Sequence, residues 1–182
     1  PSEWNRQIFQ EQFPGTRVVK IPHCIQPPVV SSRQDAITIL RNRFDTSKYV
    51  FYSIFQWLER KNPNALLSAY LTEFSSSDNI LLVIKSYKEA TNSPTVAKKY
   101  RQWLKQQVSS IHGHNQNRPL VCLITDFMSK QEINALHSVG DCFVLPSRSE
   151  GFGICYMEAM AHGKTVIGTR YGGNLEFMTD DN

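Results

Sequence analysis

Two glutamates eight positions apart, Glu150 and Glu158, lie in the stretch PSRSEGFGICYMEAMAHGKTVIGT, Pro146 to Thr169. The first precedes Gly151, Phe152 and Gly153, and the second sits inside an almost wholly apolar run. A carboxylate on a buried face is costly unless something hydrogen-bonds to it. If a helix begins near Phe152, Glu158 falls in its second turn, with Ile154, Cys155, Ala161 and His162 as neighbours three and four positions away. The backbone N–H groups of Gly151, Phe152 and Gly153 then stand free at the helix start. Glycine lets a ligand approach closely there, and the helix N-terminus favours an anion, with phosphate the natural guest. A ribose would offer Glu158 two hydroxyl donors, and Glu150 could accept from hydroxyls beyond the phosphates. At about 1.5 Å of rise per helical residue the two carboxylates are on the order of 10 Å apart. That span suits the two ends of an extended ligand better than an acid and base across one bond. Two plainer readings stay open: glycines that only permit a tight turn, and a Glu158 that accepts from the backbone of Gly172 and Gly173.

Such residues need a frame. Runs rich in β-formers occur at 17–21, 49–55, 79–85, 119–124, 141–145 and 165–169. Helix-like segments lie near 2–12, 63–74, 95–109, 129–138 and 152–162. Several runs are apolar on consecutive residues, which implies strands buried on both faces, as in a parallel sheet covered by helices. Strand–helix alternation with short connections gives an α/β, Rossmann-like, doubly wound parallel sheet. Ligands bind such sheets at the carboxyl ends of the strands. Three stretches qualify: the one after 49–55, reaching Arg60 and Lys61; the turn after 79–85, with Lys85 at its edge; and Pro146–Gly153. Residues 1–30, with three prolines in IPHCIQPPVV, read as a linker helix and a first strand, and 31–182 as the domain itself.

The 182 residues fit one domain, 41% apolar and 20% charged, with a net charge of +4. The densest basic patch, KKYRQWLK at 98–105, reads as the solvated face of a helix. No apolar run approaches the roughly 20 residues that cross a bilayer. Four scattered cysteines without a Cys-x-x-Cys pair suggest buried thiols in a reducing cytosol. GKT at 163–165 is not a phosphate-binding P-loop, because Glu158 holds the earlier glycine position and the segment runs from helix to strand. HGH at 112–114 lacks the company a metal needs, and no Gly-x-Gly-x-x-Gly follows a strand to hold a nicotinamide cofactor.

From SEGFGICYMEAMAHGKTVIGT through YGGNLEFM, the chain resembles the donor-binding half of retaining glycosyltransferases of the GT-B fold, closest to family 4. PSEWNRQIF with VVKIPHCI is similar to that domain's linker and first strand, and ERKNPNALLSAYLTEF to the segment supplying its phosphate-binding lysine. The resemblance implies that Glu158 binds the nucleotide ribose and that Glu150 faces the donor sugar. Gly151, Phe152 and Gly153 would present N–H groups, and Lys61, with Arg60 beside it, would neutralise the departing diphosphate. A preorganised cation at that point lowers the barrier to charge build-up. Family members usually carry Gly-Arg before the lysine and a glycine after it. Here the stretch is IFQWLERK and the following residue is Asn62, so Arg60 or Lys85 would supply the second charge. Thr125 to Met128 correspond to the family's base cradle. The implied reaction moves a hexosyl group from a nucleoside-diphosphate sugar to a glycan or lipid-linked acceptor, by front-face substitution without a metal or other cofactor. The acceptor would sit on an N-terminal domain missing from this chain, and the closing helices after TDDN would be missing too. Nucleic acid is not an expected partner. The implied location is the cytoplasm, with peripheral attachment to a membrane's cytoplasmic face left open. The rival readings are another GT-B enzyme, such as a nucleotide-sugar epimerase or a phosphorylase, and a non-catalytic binding module.

Overall fold

The computed structural model describes every residue except 1, 30, 88–92, 113–116 and 181–182, and the side chain of residue 112. In chain order the elements are α1 (Glu3–Gln12), α2 (Arg33–Ile39), β1 (Tyr49–Gln56), α3 (Pro63–Glu73), β2 (Ile80–Tyr87) and α4 (Pro94–His112). They are followed by β3 (Leu120–Ile124), α5 (Lys130–Val139), β4 (Cys142–Leu145), α6 (Ile154–Ala161) and β5 (Thr165–Gly168). Short 3-10 turns occur at Glu59–Lys61 and Gly173–Glu176.

All strand pairings are parallel, in the order β3-β2-β1-β4-β5. The continuous apolar runs are explained by burial: Leu81 to Ser86 of β2 are all buried, and so are Val50, Tyr52, Ser53 and Phe55 of β1. From β1 the chain builds outward through α3, β2, α4 and β3, then returns to the other side of β1 with β4 and continues outward to β5. Right-handed crossovers therefore place α3 and α4 on one face and α5 and α6 on the other. The core centres on Tyr52, Phe143, Leu82, Leu67 and Leu136. Order reverses between β1 and β4, which pair at Phe51–Cys142 and Tyr52–Phe143. The crevice above their carboxyl ends is the switch point at which doubly wound sheets bind ligands.

Several expectations need correction. Residues 17–21 form no strand; Val19 and Ile21 are exposed, and among the described residues no strand pairs with the stretch. The sheet begins instead at Tyr49. Helix α2 was not anticipated, because seven residues give too short a periodicity. Its signal was local: the Ser32 hydroxyl accepts from the Asp35 N–H in an N-cap. Helix α6 starts at Ile154, two residues later than expected. The KKYRQWLK patch does lie on α4, with Tyr100 and Leu104 buried and Lys98, Lys99 and Lys105 outward. All four cysteines are free, Cys142 buried, Cys122 and Cys155 half-buried and Cys24 exposed.

Candidate functional site

Beyond β1 the chain turns through Glu59–Lys61 and reaches Asn62 with φ 53° and ψ 49°, a left-handed conformation. This is where the resemblance calls for glycine, and asparagine is the side chain that best tolerates the same region. Pro63 then opens α3 at its first turn. Beyond β4, the loop Pro146 to Glu150 runs beside this turn and is stitched to it. The Arg148 N–H donates to the Arg60 carbonyl at 2.7 Å, and the Ser147 hydroxyl donates to the same oxygen at 3.0 Å. In return the Arg60 guanidinium donates to the Ser149 carbonyl at 3.2 Å.

The stitching sets Lys61 Nζ 2.5 Å from Glu150 Oε1, with Arg60 Nη1 3.6 Å from Oε2. Lys61 is 8% exposed and Glu150 7%, so two groups that both bind water strongly are held together almost out of its reach. A pair this dry persists only when both charges are matched. Arg60 is half-exposed, which fits a second cation at the rim.

The next three residues, Gly151 to Gly153, lead the chain into α6. Gly153 caps α6 with φ 88°, and no side chain bonds to the helix start. Among the described residues no acceptor meets the N–H groups of Gly151, Phe152 or Gly153. From outside, the Gly173 N–H grips the Glu150 carbonyl at 2.7 Å. The Gly151 carbonyl accepts from both Ser2 Oγ and Asn5 Nδ2 at 2.9 Å.

Glu158 departs from the buried position expected of it. It is exposed on α6, and it lines a groove of about 540 Å³ together with Ile154, Met128, Lys130, His137 and the segment 24–29. Partial desolvation raises its carboxyl pKa, an effect that Lys130 opposes. No protein hydrogen bond to its carboxylate is found among the described residues, and the Gly172–Gly173 turn clasps Glu150 and not Glu158. Ile154 follows Gly153 directly, so the groove opens at the start of the same helix. Met128, from the stretch aligned with the base cradle, forms part of its wall.

Arg60, Lys61, Glu150 and Gly151 to Gly153 are thus brought together, with Glu158 in the adjoining groove. Lys85 is not joined to them. It is 6% exposed on β2 between Ile54 and Ile124, and its ammonium lies 5.7 Å from the Tyr87 ring centre. No ion pair or hydrogen bond reaches it among the described residues, and burial lowers its pKa. Sequence reasoning missed Ser2, Asn5 and Ser147, whose hydrogen bonds span 87 to 149 residues of chain. It also missed His137, whose Nδ1 lies 2.9 Å from the Tyr52 hydroxyl and whose ring stacks on His162 at 4.8 Å. Burial first, then His162 and Lys164, pushes His137 down to about 3, so it is neutral at pH 7.

The GKT segment is structural, as expected: Gly163 turns the chain at φ 69° and Lys164 donates to the Ser138 carbonyl at 3.0 Å. The HGH stretch falls largely outside the described residues. Among those described, no cluster of three His, Cys, Asp or Glu is placed to hold a metal.

Comparison with known proteins places the fold and the family. The C-terminal domain of a glycosyl transferase group 1 family protein (LpcC) from Francisella tularensis superposes with a TM-score of 0.56 at 21% identity, covering 84% of this chain and 72% of that one. An E. coli trehalose-6-phosphate structure bound with UDP-2-fluoro glucose gives a TM-score of 0.55 at 9% identity, over 82% of this chain and 38% of that one. These likenesses show the fold, that of a GT-B glycosyltransferase domain. A sucrose synthase from Melioribacter roseus is 26% identical over 106 residues, 58% of this chain and 13% of its own length. Sulfoquinovosyl transferase SQD2 from Arabidopsis thaliana is 34% identical over 59 residues, 32% of this chain and 12% of its own length. The chain therefore spans about an eighth of the length of these curated relatives. The model of the family described as Glycosyl transferases group 1 matches residues 37–182. The chain belongs to the group 1 glycosyl transferases.

Proposed function

We propose that the crevice binds a nucleoside-diphosphate sugar, and that the whole protein transfers its hexosyl group, with retention, to a glycan or lipid-linked acceptor in the manner of family 4. The observation that carries this reading is the buried Lys61–Glu150 pair beside three N–H groups at the start of α6 that meet no acceptor among the described residues. The N–H groups and Lys61 face the charge that grows on a departing diphosphate, with Arg60 at the rim. Fixed donors and cations aimed at developing charge lower the barrier without reorganising. Cationic side chains and N–H groups supply this charge by themselves, so no metal is assigned a role. Glu150 accepts from the donor sugar hydroxyls once the phosphate takes its share of Lys61. Glu158, one groove further along α6, accepts from the ribose. Lys85, which has no ion-pair partner among the described residues, adds positive potential from β2 without touching the pair. The E. coli structure bound with UDP-2-fluoro glucose supports the reading by its fold and by the class of ligand named for it.

Glu158→Gln tests the assignment of the ribose. The swap keeps shape but turns one acceptor oxygen into a donor, so nucleotide affinity is expected to fall by about 1–3 kcal/mol. A 2′-deoxyribose ligand should lose less, because the wild type already lacks part of that contact. The folded state should be as stable as before or slightly more so, since a carboxylate disfavoured by desolvation has been removed. Acid carries a second signature. The ribose needs Glu158 ionised, and its pKa lies above the ordinary 4.5. Wild-type affinity should therefore decline as pH falls through that raised value, relative to the Gln variant measured in parallel. Isothermal titration at several pH values decides. An unchanged affinity for both ribose and deoxyribose ligands would remove Glu158 from the site.

A further inference from the structure

Helix α1 is held in an unusual way. It contributes no buried residue of its own, and Phe9 and Phe13 at its far end are about half exposed. Apolar burial in the sheet's core therefore does not hold it. Among the described residues, every hydrogen bond it makes beyond the adjoining segment 13–18 goes to Gly151 or to Glu176. The Glu3 N–H donates to Glu176 Oε1 at 2.5 Å, and the Trp4 ring meets Tyr171 edge-on at 5.6 Å. Both partners flank Gly173, whose N–H holds the Glu150 carbonyl. At the helix start, the Ser2 hydroxyl accepts from the Asn5 N–H and donates to the Gly151 carbonyl, to which the Asn5 side chain also donates.

Two donors on one carbonyl fix the plane of the Gly151–Phe152 peptide. Because that peptide is trans, fixing its C=O also fixes the direction of the Phe152 N–H on its opposite side. Donation to the oxygen further polarises the amide and strengthens the N–H as a donor. Gly151 has no side chain by which the loop could be anchored, so the constraint must come from another element. We infer that α1 is a positioning element for the phosphate-binding loop, with Ser2 and Asn5 orienting the Phe152 N–H toward the anion. This rests on the reading of the crevice as a diphosphate site.

The test is Asn5→Ala in the protein, titrated with uridine diphosphate, guanosine diphosphate and the corresponding nucleosides while Tm is followed. Losing one of two neutral hydrogen bonds to the carbonyl should weaken diphosphate binding about two- to tenfold. Nucleoside binding should stay unchanged and Tm should fall only slightly, because Asn5 is half-buried, it loses one neutral hydrogen bond, and alanine is a good helix former. Adding Ser2→Ala should deepen the phosphate-selective loss. An unchanged diphosphate affinity would overturn the inference. So would an equal loss for nucleoside and diphosphate, which would make α1 a support for the fold alone. A wild type that binds neither diphosphate would instead overturn the reading of the crevice, and this inference with it.

Discussion

Lys61→Met should weaken binding of a nucleoside diphosphate by about 1.5–3 kcal/mol, roughly 10- to 150-fold, and leave the free nucleoside nearly untouched. Methionine keeps most of the stem and removes only the charge, which is assigned to phosphate. The substitution also strands Glu150 at 7% exposure, with Arg60 3.6 Å away as its remaining cation. Breaking a buried pair by removing one partner costs up to about 3–5 kcal/mol, and the residual Arg60 contact should hold the loss below that. Stability and binding can be separated by adding Glu150→Gln. With both charges gone the desolvation penalty goes too, so Tm should recover most of its loss while diphosphate affinity stays low. Recovery of affinity in the double variant would mean that Lys61 acts only on the fold.

Gly173→Ala should be more disruptive than any surface change in this chain. A Cβ there would lie 2.1 Å from the Gly151 oxygen, 2.4 Å from its carbon and 2.7 Å from the Phe152 nitrogen. All three are backbone atoms of the proposed phosphate loop, so no side chain can swing aside. Either the 172–173 turn or the loop must move, and the bond from the Gly173 N–H to the Glu150 carbonyl goes with it. Overpacking of this kind costs about 1–3 kcal/mol or more. A loop displaced by even a few tenths of an ångström also loses the aim of its N–H groups, so diphosphate affinity should drop at least about tenfold. Gly163→Ala is the control. Nothing lies within 4 Å of its Cβ, although its φ of 69° is strained for alanine. It should lose on the order of 1 kcal/mol of stability through that strain, and no affinity. Equal affinity loss in the two variants would argue against a specific contact between Gly173 and the loop.

The parts of this molecule that the sequence made readable are those governed by local pattern. Strands β2 and β4 showed as consecutive apolar residues, and β1 as a run broken only by Ser53, because helices cover both of their faces. Residues 17–21 carry similar side chains yet form no strand, since strand formation needs a neighbour, and pairing is a tertiary fact. The turn at Gly151 and Gly153 was legible because glycine has few cheap uses, but the cost of a buried carboxylate was assigned to Glu158, whereas Glu150 is the buried one. Burial of Lys61 was not legible, because it comes from three hydrogen bonds between two loops nearly ninety residues apart. Glu158 misled in the other direction: its helical neighbours are apolar, but the face they share borders an open groove. Asn62 looked like a departure from the family pattern and became its physical equivalent once its backbone conformation was seen.

The most direct measurement of the central claim is calorimetric titration of the wild-type protein with nucleoside diphosphates, and with the matching nucleosides, each with and without a chelator. Lys61, Arg60 and the three N–H groups supply the positive potential by themselves. At least one diphosphate should therefore bind, more tightly than its nucleoside, and with the same affinity when divalent metal is stripped. A diphosphate that binds no better than its nucleoside, or only with magnesium or manganese present, would contradict the assignment of this crevice as a metal-independent diphosphate site.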